Sequence, residues 1–97
     1  MDFIIESYRI YSQDKEEKLL AELLFVDEEK DVLAITRTFV DESLRGRGVA
    51  DKLMREALKQ AKLQDKKIKP VCPYAVKWFE KHREFADLSS GSSGIKQ

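Results

Sequence analysis

Residues 38–50 read Thr38-Phe39-Val40-Asp41-Glu42-Ser43-Leu44-Arg45-Gly46-Arg47-Gly48-Val49-Ala50 and join two different side-chain periodicities. Upstream, residues 31–40 are rich in β-branched and aromatic side chains, which favour a central β-strand. Downstream, apolar residues recur at helical spacing as far as Ala61, and charged residues fill the positions between them. We therefore predict a strand, a glycine-containing loop and an amphipathic helix that begins near Gly48 and ends near Gln64.

The first half of the chain is predicted to form an antiparallel meander. Ile4–Tyr11 is interpreted as one strand and Leu19–Val26 as a second, because both are rich in apolar and β-branched or aromatic residues. The charged link Asp27–Lys30 is short enough for a hairpin turn only, so the strand Asp31–Val40 follows directly.

The second half is predicted to add a helix, a strand and a helix. Because a crossover helix precedes Ile68–Cys72, that segment is expected to be a strand parallel to residues 31–40. Pro73 suits the first position of a last helix that ends near Arg83, since a helix start needs no N–H there. The predicted fold class is α+β: an antiparallel β-meander followed by a helix, a parallel strand and a C-terminal helix.

Composition limits the classes of partner. The chain has 97 residues, with 18 basic and 18 acidic residues, and this balance argues against a nucleic-acid partner. Its apolar runs are far shorter than the ~20 residues that cross a bilayer, and the N-terminus does not resemble a signal peptide. The lone Cys72 excludes a disulfide framework and favours a cytoplasmic location. We assign residues 1–88 to one domain and the Ser/Gly-rich residues 89–97 to a flexible tail, and we predict no metal site.

The loop that precedes the long helix has the chemistry of an anion site. The first N–H groups of a helix lack intrahelical partners, and Gly46 and Gly48 allow a phosphate to approach the backbone closely. Arg45 and Arg47 add positive charge from their side chains. Alternatively, the two glycines serve only to turn the chain into the helix.

Three phosphate-binding templates were compared with the loop. A P-loop needs a lysine and a hydroxyl, which Gly48-Val49-Ala50 does not supply. The dinucleotide fingerprint would place Asp51 where a third small residue must pack against a strand. The acetyl-CoA pyrophosphate loop, Gln/Arg-x-x-Gly-x-Gly/Ala, matches residues 45–50 at each fixed position.

With this loop, the chain resembles the GNAT superfamily of N-acetyltransferases, and more closely its short, single-domain branch. The resemblance extends from about Tyr8 to Leu88 and includes Thr38 and Val40, the segment Pro70-Val71-Cys72-Pro73-Tyr74, and the ending His82-Arg83-Glu84-Phe85-Ala86-Asp87-Leu88. It implies acetyl-CoA or CoA as cofactor, with the pyrophosphate on the backbone of residues 46–50 and the pantetheine along residues 38–40. It also implies that this strand splays from the strand Ile68–Cys72 to admit the thioester. The implied cofactor contacts are Thr38, Phe39, Val40, Arg45, Gly46, Arg47, Gly48, Val49 and Ala50.

The activity implied by the resemblance is transfer of an acetyl group to an amine of a small molecule or protein. Two departures from the family pattern bear on this activity. Arg37 stands where the short branch often carries a histidine, and the chain lacks the extra helices that help to form the acceptor pocket in full-length members. They favour an alternative, a non-enzymatic acyl-CoA-binding or sensing module; a third possibility is a small interaction domain that has lost CoA.

Acyl transfer to an amine needs a base, a stabilised oxyanion and a proton for the leaving thiolate. Cys72, just before a helix start, is a candidate nucleophile or proton-transfer group, or else a buried small apolar residue. Tyr74 matches the region where many family members hold a tyrosine that protonates the thiolate; alternatively it packs with its hydroxyl at the surface. The implied oxyanion donor is a backbone N–H near Phe39 or Val40. His82 is interpreted as structural, because it lies at a helix C-terminus.

Two further groups are interpreted as structural. Trp78 and Phe79 are adjacent and therefore face different sides of a helix, so one is expected in the core and the other is free to line a cofactor groove. A set of lysines interleaved with acids and glutamines is interpreted as a solvated face. Its members are Lys59, Lys62, Lys66, Lys67 and Lys69.

Overall fold

A mixed five-stranded sheet carries two α-helices in residues 1–90, the part of the chain that the computed structural model describes. The elements are β1 (Ile4–Glu6), β2 (Arg9–Gln13), β3 (Leu19–Glu29), β4 (Val32–Val40), α1 (Val49–Leu63), β5 (Lys67–Pro70) and α2 (Pro73–Lys81), with short 3-10 helices at Glu42–Leu44 and Arg83–Leu88. The strands follow their order in the chain, and all neighbours are antiparallel except the parallel pair β4–β5. This arrangement confirms the predicted α+β class.

One face of the sheet and the apolar faces of both helices form the core. Six large side chains of this core are almost fully buried: Ile10, Leu23, Ile35, Leu53, Met54 and Ile68. Within α1 the buried residues recur at three- and four-residue intervals, as the sequence predicts for an amphipathic helix. The core therefore fixes the position of the N-terminus of α1 relative to the end of β4.

The prediction of a single strand from Ile4 to Tyr11 was wrong. The chain turns back after Glu6, and β1 and β2 pair with Glu6 opposite Arg9 across a two-residue turn. The turn residues, Ser7 and Tyr8, lack the glycine or asparagine that usually indicates a tight hairpin, so the local sequence gives a weak signal. The phenol of Tyr8 donates a hydrogen bond to Asp27 on β3, at 2.7 Å, a long-range contact that holds the turn.

The charged link at residues 27–30 is mostly strand rather than turn. β3 continues to Glu29, and only Lys30 and Asp31 form the hairpin turn, with Asp31 at φ 63°.

An aspartate in the left-handed conformation also follows the end of α1, where Asp65 adopts φ 59°. The N–H groups of Lys66 and Asp65 donate to the carbonyls of Ala61 and Lys62, which is the pattern of a glycine-type C-cap. Aspartate tolerates this left-handed conformation better than most residues.

The last strand and helix are shorter than predicted. β5 ends at Pro70 rather than Cys72, because the N–H groups of Val71 and Cys72 both donate to the carbonyl of Ile35 and the ladder goes no further. Pro73 does occupy the first turn of α2, as predicted, but the helix ends at Lys81 rather than near Arg83. After the last 3-10 helix, Ser89 pairs with Ile68. The domain boundary at residue 88 stays a prediction, and residues 91–97 of the predicted tail lie outside the described residues.

Candidate active site

The loop between β4 and α1 leaves a helix N-terminus open. Gly46 and Gly48 have φ of 82° and 75°, in the left-handed region that favours glycine, and Gly48 is the N-cap of α1. No side chain caps this helix start. A Cβ placed on either glycine would meet no atom within 4 Å, so the loop is open on the side where these residues would carry a side chain. The first N–H groups of the helix have no intrahelical partners and are available to an anion.

A short 3-10 helix holds the start of the loop. Asp41 caps it, accepting hydrogen bonds from the N–H of Ser43 at 3.1 Å and from its hydroxyl at 2.5 Å. These two bonds lower the pKa of the Asp41 carboxyl, and Lys18, at 3.6 Å, acts in the same direction. The loop therefore leaves β4 in a defined direction before it reaches the glycines.

The loop borders a cleft of about 260 Å³. The cleft is lined by Val40, Leu44, Arg45, Gly46, Gly48, Val49, Ala50, Asp51 and Tyr74. Seven of the predicted site residues therefore lie together, whereas Thr38, Phe39, Arg47 and Cys72 do not line this cleft. Leu44 and Asp51 are additions that the sequence reasoning missed. For Asp51 the available signal was an acid in the first turn of a helix, which usually means only a favourable interaction with the helix dipole.

Beside this cleft, β4 and β5 separate, as the resemblance implies. Their ladder stops at the pair Ile35 and Pro70. The carbonyl of Ile35 then accepts from the N–H groups of both Val71 and Cys72, each at 3.0 Å, which turns the chain away from β4. Beyond this point, residues 37–40 pair with β3. The backbone N–H and C=O groups on the edge of β4 that faces α2 are therefore not paired with β5 beyond this point.

Cys72 lies at this opening and is the N-cap residue of α2. Its side chain is buried, with 8% of the residue exposed, and Sγ is 3.3 Å from Oγ1 of Thr38. The predicted candidates Thr38 and Cys72 are thus in contact, one on each side of the opening. The contact is a hydrogen bond in which either group can donate.

A bulge in β4 determines which side chains reach the opening. Leu24 is opposite Arg37 but its neighbour Phe25 is opposite Ile35, so Thr36 is an extra residue in the strand. An extra residue reverses the alternation that follows it. Thr38 and Val40 consequently face the helices, with Val40 packed against the core. Phe39, predicted to contact the cofactor, directs its side chain to the opposite face, so only its backbone remains near the opening.

That opposite face carries a charged cluster around Glu22. Glu22 is opposite Phe39 in the ladder, and its side chain is 11% exposed. Its carboxylate accepts from Nε of Arg9 at 2.7 Å and from Nε of Arg37 at 3.2 Å. The Arg9 guanidinium also lies 3.7 Å from the ring centroid of Tyr11. Arg37, at the position where the short branch often carries histidine, is therefore engaged in an ion pair away from Cys72.

Tyr74, in the first turn of α2, projects into the loop cleft with 38% of the residue exposed. Partial burial raises the pKa of its phenol, and the negative charge of Asp51 raises it further. A phenol with the usual pKa of 10.0 is already protonated at neutral pH, and a raised pKa does not change that. A protonated phenol beside the cleft is chemically able to act as a proton donor.

Asp51 connects the start of α1 with α2. Its carboxylate accepts from the indole N–H of Trp78 at 2.7 Å and from Nε of Arg55 at 2.9 Å. Burial alone would raise the pKa of this carboxyl, but these two hydrogen bonds outweigh it and the pKa is lowered. His82 stacks on the Trp78 ring at a centroid distance of 4.0 Å, and its Nδ1 is 2.9 Å from the Trp78 carbonyl. The contacts of His82 and Trp78 with each other therefore stabilise the end of α2. Neither Trp78 nor Phe79 lines the loop cleft.

Comparison with known proteins agrees with this geometry. The model of the GCN5-related N-acetyltransferase family matches residues 7–88, and the chain belongs to this family. A GCN5-like protein from Staphylococcus aureus, solved by NMR, is 25% identical; the match covers 99% of this chain and 94% of that one, with a TM-score of 0.80.

Larger relatives share the fold only. A GNAT-family acetyltransferase from Staphylococcus aureus Mu50 has 14% identity and a TM-score of 0.62. A predicted acetyltransferase from Clostridium acetobutylicum, solved with acetyl-CoA, has 15% identity and a TM-score of 0.61. In both cases the match covers 92% of this chain but 62% of the other. No curated protein matches the chain by sequence.

Two kinds of feature are absent from residues 1–90. No helix in this range has the length and apolar character needed to cross a membrane. No group of three or more histidine, cysteine, aspartate or glutamate side chains in the same range is arranged to hold a metal ion.

Proposed function

We propose that this protein transfers the acetyl group of acetyl-CoA to an amine of a small molecule or of a protein. The observation that carries the proposal is a juxtaposition: an open helix N-terminus with two left-handed glycines lies next to the opening between β4 and β5. The first feature suits a pyrophosphate and the second suits a thioester arm. Membership of the N-acetyltransferase family supports the same reaction class.

The residues of the loop fit the cofactor. The backbone N–H groups from Gly46 to Ala50 would bind the pyrophosphate oxygens, because the loop is open on the side where the glycines would carry a side chain. Arg45, which lines the same cleft, would add a charge-assisted contact. The edge of β4 at Thr38 and Val40, which is not paired with β5, would hold the pantetheine arm through its backbone. Acetyl-CoA, when bound, supplies an activated acetyl thioester.

The proposed chemical step uses two side chains. Tyr74, which lines the cleft, is the proposed donor to the departing thiolate, because its phenol is protonated at neutral pH. Cys72, in contact with Thr38, is the proposed nucleophile or proton-transfer group. The backbone N–H near Phe39 or Val40 is the proposed donor to the oxyanion. We place the protein in the cytoplasm, where a lone thiol stays reduced.

Calorimetric titration of acetyl-CoA and of CoA tests the cofactor assignment. Gly48→Glu introduces a carboxylate into the cleft and should abolish binding, because it repels the pyrophosphate and fills the open side of the loop. Ala50→Glu places the same charge in the cleft without requiring left-handed backbone, so it covers the case in which Gly48→Glu fails to fold. Gln64→Glu, at the other end of α1, is the matched control and should bind like wild type. Binding that survives both cleft variants would refute the assignment.

Turnover separates the enzyme from the alternative of a binding or sensing module. Acetylated products and free CoA would be measured by mass spectrometry against a panel of small amines and lysine-containing peptides. Cys72→Ala and Tyr74→Phe should lower the rate and leave the Kd for acetyl-CoA unchanged, whereas Tyr8→Phe, remote from the cleft, should change neither. Cofactor binding without any acetylated amine would favour the sensing module.

A further inference from the structure

A groove outside the loop cleft lies between the C-terminal half of α1 and the 3-10 helix Arg83–Leu88. It encloses about 490 Å³, a volume typical of binding sites. Its apolar floor and wall are formed by Leu58, Leu63, Phe85 and Leu88. Leu63 is 72% exposed, which is unusual for a large apolar side chain beside a concave surface.

The rim of this groove is basic. Arg55, Lys59 and Lys62 line it, and no acidic side chain is among its lining residues. The three cations recur at i, i+4 and i+7, so they form one row that extends about 10 Å along α1 at 1.5 Å per residue. Arg55 shares its charge with Asp51 and lies 5.6 Å from the ring centroid of Phe85.

The five lysines interpreted from sequence as one solvated face divide into two groups. Lys66 and Lys69 form ion pairs with Asp27 and Glu28 on β3. Lys67 donates to the carbonyl of Asp87. The side chains of Lys59 and Lys62, in contrast, form no ion pair or hydrogen bond with any residue in the range 1–90. The unneutralised charge of this surface is therefore concentrated beside the apolar groove.

We propose that this groove, formed by Leu58, Leu63, Phe85 and Leu88 with Arg55, Lys59 and Lys62, binds an acidic amphipathic helical segment of a partner protein. A row of cations along two turns complements several acids spaced along an elongated ligand, whereas a single anionic headgroup would use only one of them. The apolar floor complements the apolar stripe of such a segment. The chain's own residues 91–97 carry a lysine and no acid, so their charge does not fit.

The proposed docking surface is independent of the proposed acetyl transfer. Lys59 is eleven positions beyond Gly48, about 16 Å along the helix axis. No residue is shared between the lining of the groove and that of the loop cleft. A docked partner would leave the loop open, and a test by binding does not require turnover.

The test uses fluorescence polarisation with a labelled helical peptide that carries leucines at i, i+3, i+4 and i+7 flanked by glutamates. A scrambled peptide of identical composition is the ligand control. Lys59→Glu/Lys62→Glu should raise the Kd of the amphipathic peptide at least about tenfold, because two attractions become repulsions. Lys77→Glu/Lys81→Glu is the matched control on α2: both lysines are exposed and lie outside the groove, so the Kd should stay within about twofold of wild type. Leu63→Ser should also weaken binding, and amide shifts on binding should cluster at residues 58–63 and 85–88.

Several results would overturn the proposal. One is that Lys59→Glu/Lys62→Glu and Lys77→Glu/Lys81→Glu weaken peptide binding equally. The others are that the scrambled peptide binds as tightly as the amphipathic one, or that the wild-type protein does not bind the amphipathic peptide. Binding of sodium decanoate without the peptide would mean that the groove takes one headgroup and an acyl chain. Self-association that is abolished by Lys59→Glu/Lys62→Glu would mean that a second copy of the chain is the occupant. Titration of acetyl-CoA into the same variants shows whether the loop is intact, so a failure here is distinguishable from a failure of the proposed function.

Discussion

Replacing Asp51 with alanine removes the carboxylate that connects the first turn of α1 to α2. The indole N–H of Trp78, a residue only 3% exposed, loses its 2.7 Å acceptor. A hydrogen bond to a charged group contributes about 1.5–3 kcal/mol, and the lower half applies here because the Asp51 side chain is 37% exposed. The Arg55 pair and the helix dipole add roughly 0.3–0.5 and 0.3–1 kcal/mol. We expect the free energy of unfolding to fall by about 2–3.5 kcal/mol.

Urea denaturation followed by circular dichroism measures this loss. With an m-value of about 1.5 kcal/mol/M, the midpoint should fall by roughly 1.3–2.3 M. Glu56→Ala is the matched control, because the only side-chain hydrogen bond of this α1 acid within residues 1–90 is with the neighbouring Gln60, and the loss should cost less than about 0.5 kcal/mol. In a Trp78→Phe background the Asp51→Ala loss should shrink by the value of the lost hydrogen bond. An unchanged loss in that background would refute the assigned partnership.

The same variant predicts a pH dependence with a definite sign. The pKa of Asp51 is lowered in the folded state, so its carboxylate contributes fully above the unfolded value, about 3.9, and the contribution is lost as pH falls through the folded value. The difference in unfolding free energy between wild type and Asp51→Ala should therefore be constant near neutral pH and narrow below about pH 4. A difference that widens on acidification would contradict this sign.

Three further predictions concern single positions. Gly48→Ala should lower the unfolding free energy by about 1–2 kcal/mol in urea because φ is 75°, and Gly48→Asn should cost less; equal costs would exclude backbone strain as the cause. Glu22→Gln should cost about 1–2 kcal/mol by the same assay, because it leaves the Arg9 and Arg37 guanidiniums without a carboxylate; a loss as small as that of Glu16→Gln would contradict the role of the cluster. The ionisation of the Tyr74 phenol can be followed as the difference in phenolate absorbance between wild type and Tyr74→Phe. Its midpoint should lie above pH 10, the usual value, and should be lower in Asp51→Asn, whereas an unaltered midpoint in that variant would exclude Asp51 as a cause of the raised pKa.

Features set by neighbours in the chain were predicted with little error. Three sequence predictions agree with the structure: the long helix, observed at Val49–Leu63, the loop with Gly46 and Gly48, and the start of α2 at Pro73. In each case the physical cause acts within a few residues: an apolar period of about 3.6, a left-handed backbone that favours glycine, and a helix start that needs no N–H. Membership of the family then supports N-acetyl transfer, which the sequence implies only through its resemblance to that family.

Features set by pairing between distant segments were predicted less well. The hairpin at Ser7 and Tyr8 has no glycine signal and is held by the contact between Tyr8 and Asp27. The C-cap at Asp65 uses a residue that rarely takes this role, so only the surrounding hydrogen bonds reveal it. In both places a tertiary contact or a backbone hydrogen bond overrides a weak local preference.

The loop with Gly46 and Gly48, the amphipathic helix and the α+β order of elements follow from the sequence, because each depends on the spacing of a few neighbouring residues. The face of the sheet on which each site residue lies does not follow from the sequence. An extra residue, Thr36, enters β4 opposite β3, and this bulge turns Thr38 toward Cys72 and Phe39 away from it. Tertiary packing also decides which lysines form ion pairs. Lys66 and Lys69 pair with acids of β3 that are about 40 residues away in the chain. Lys59 and Lys62 instead line the groove. Strand register and long-range charge pairing are properties of the folded chain, because they depend on which segments become neighbours in space.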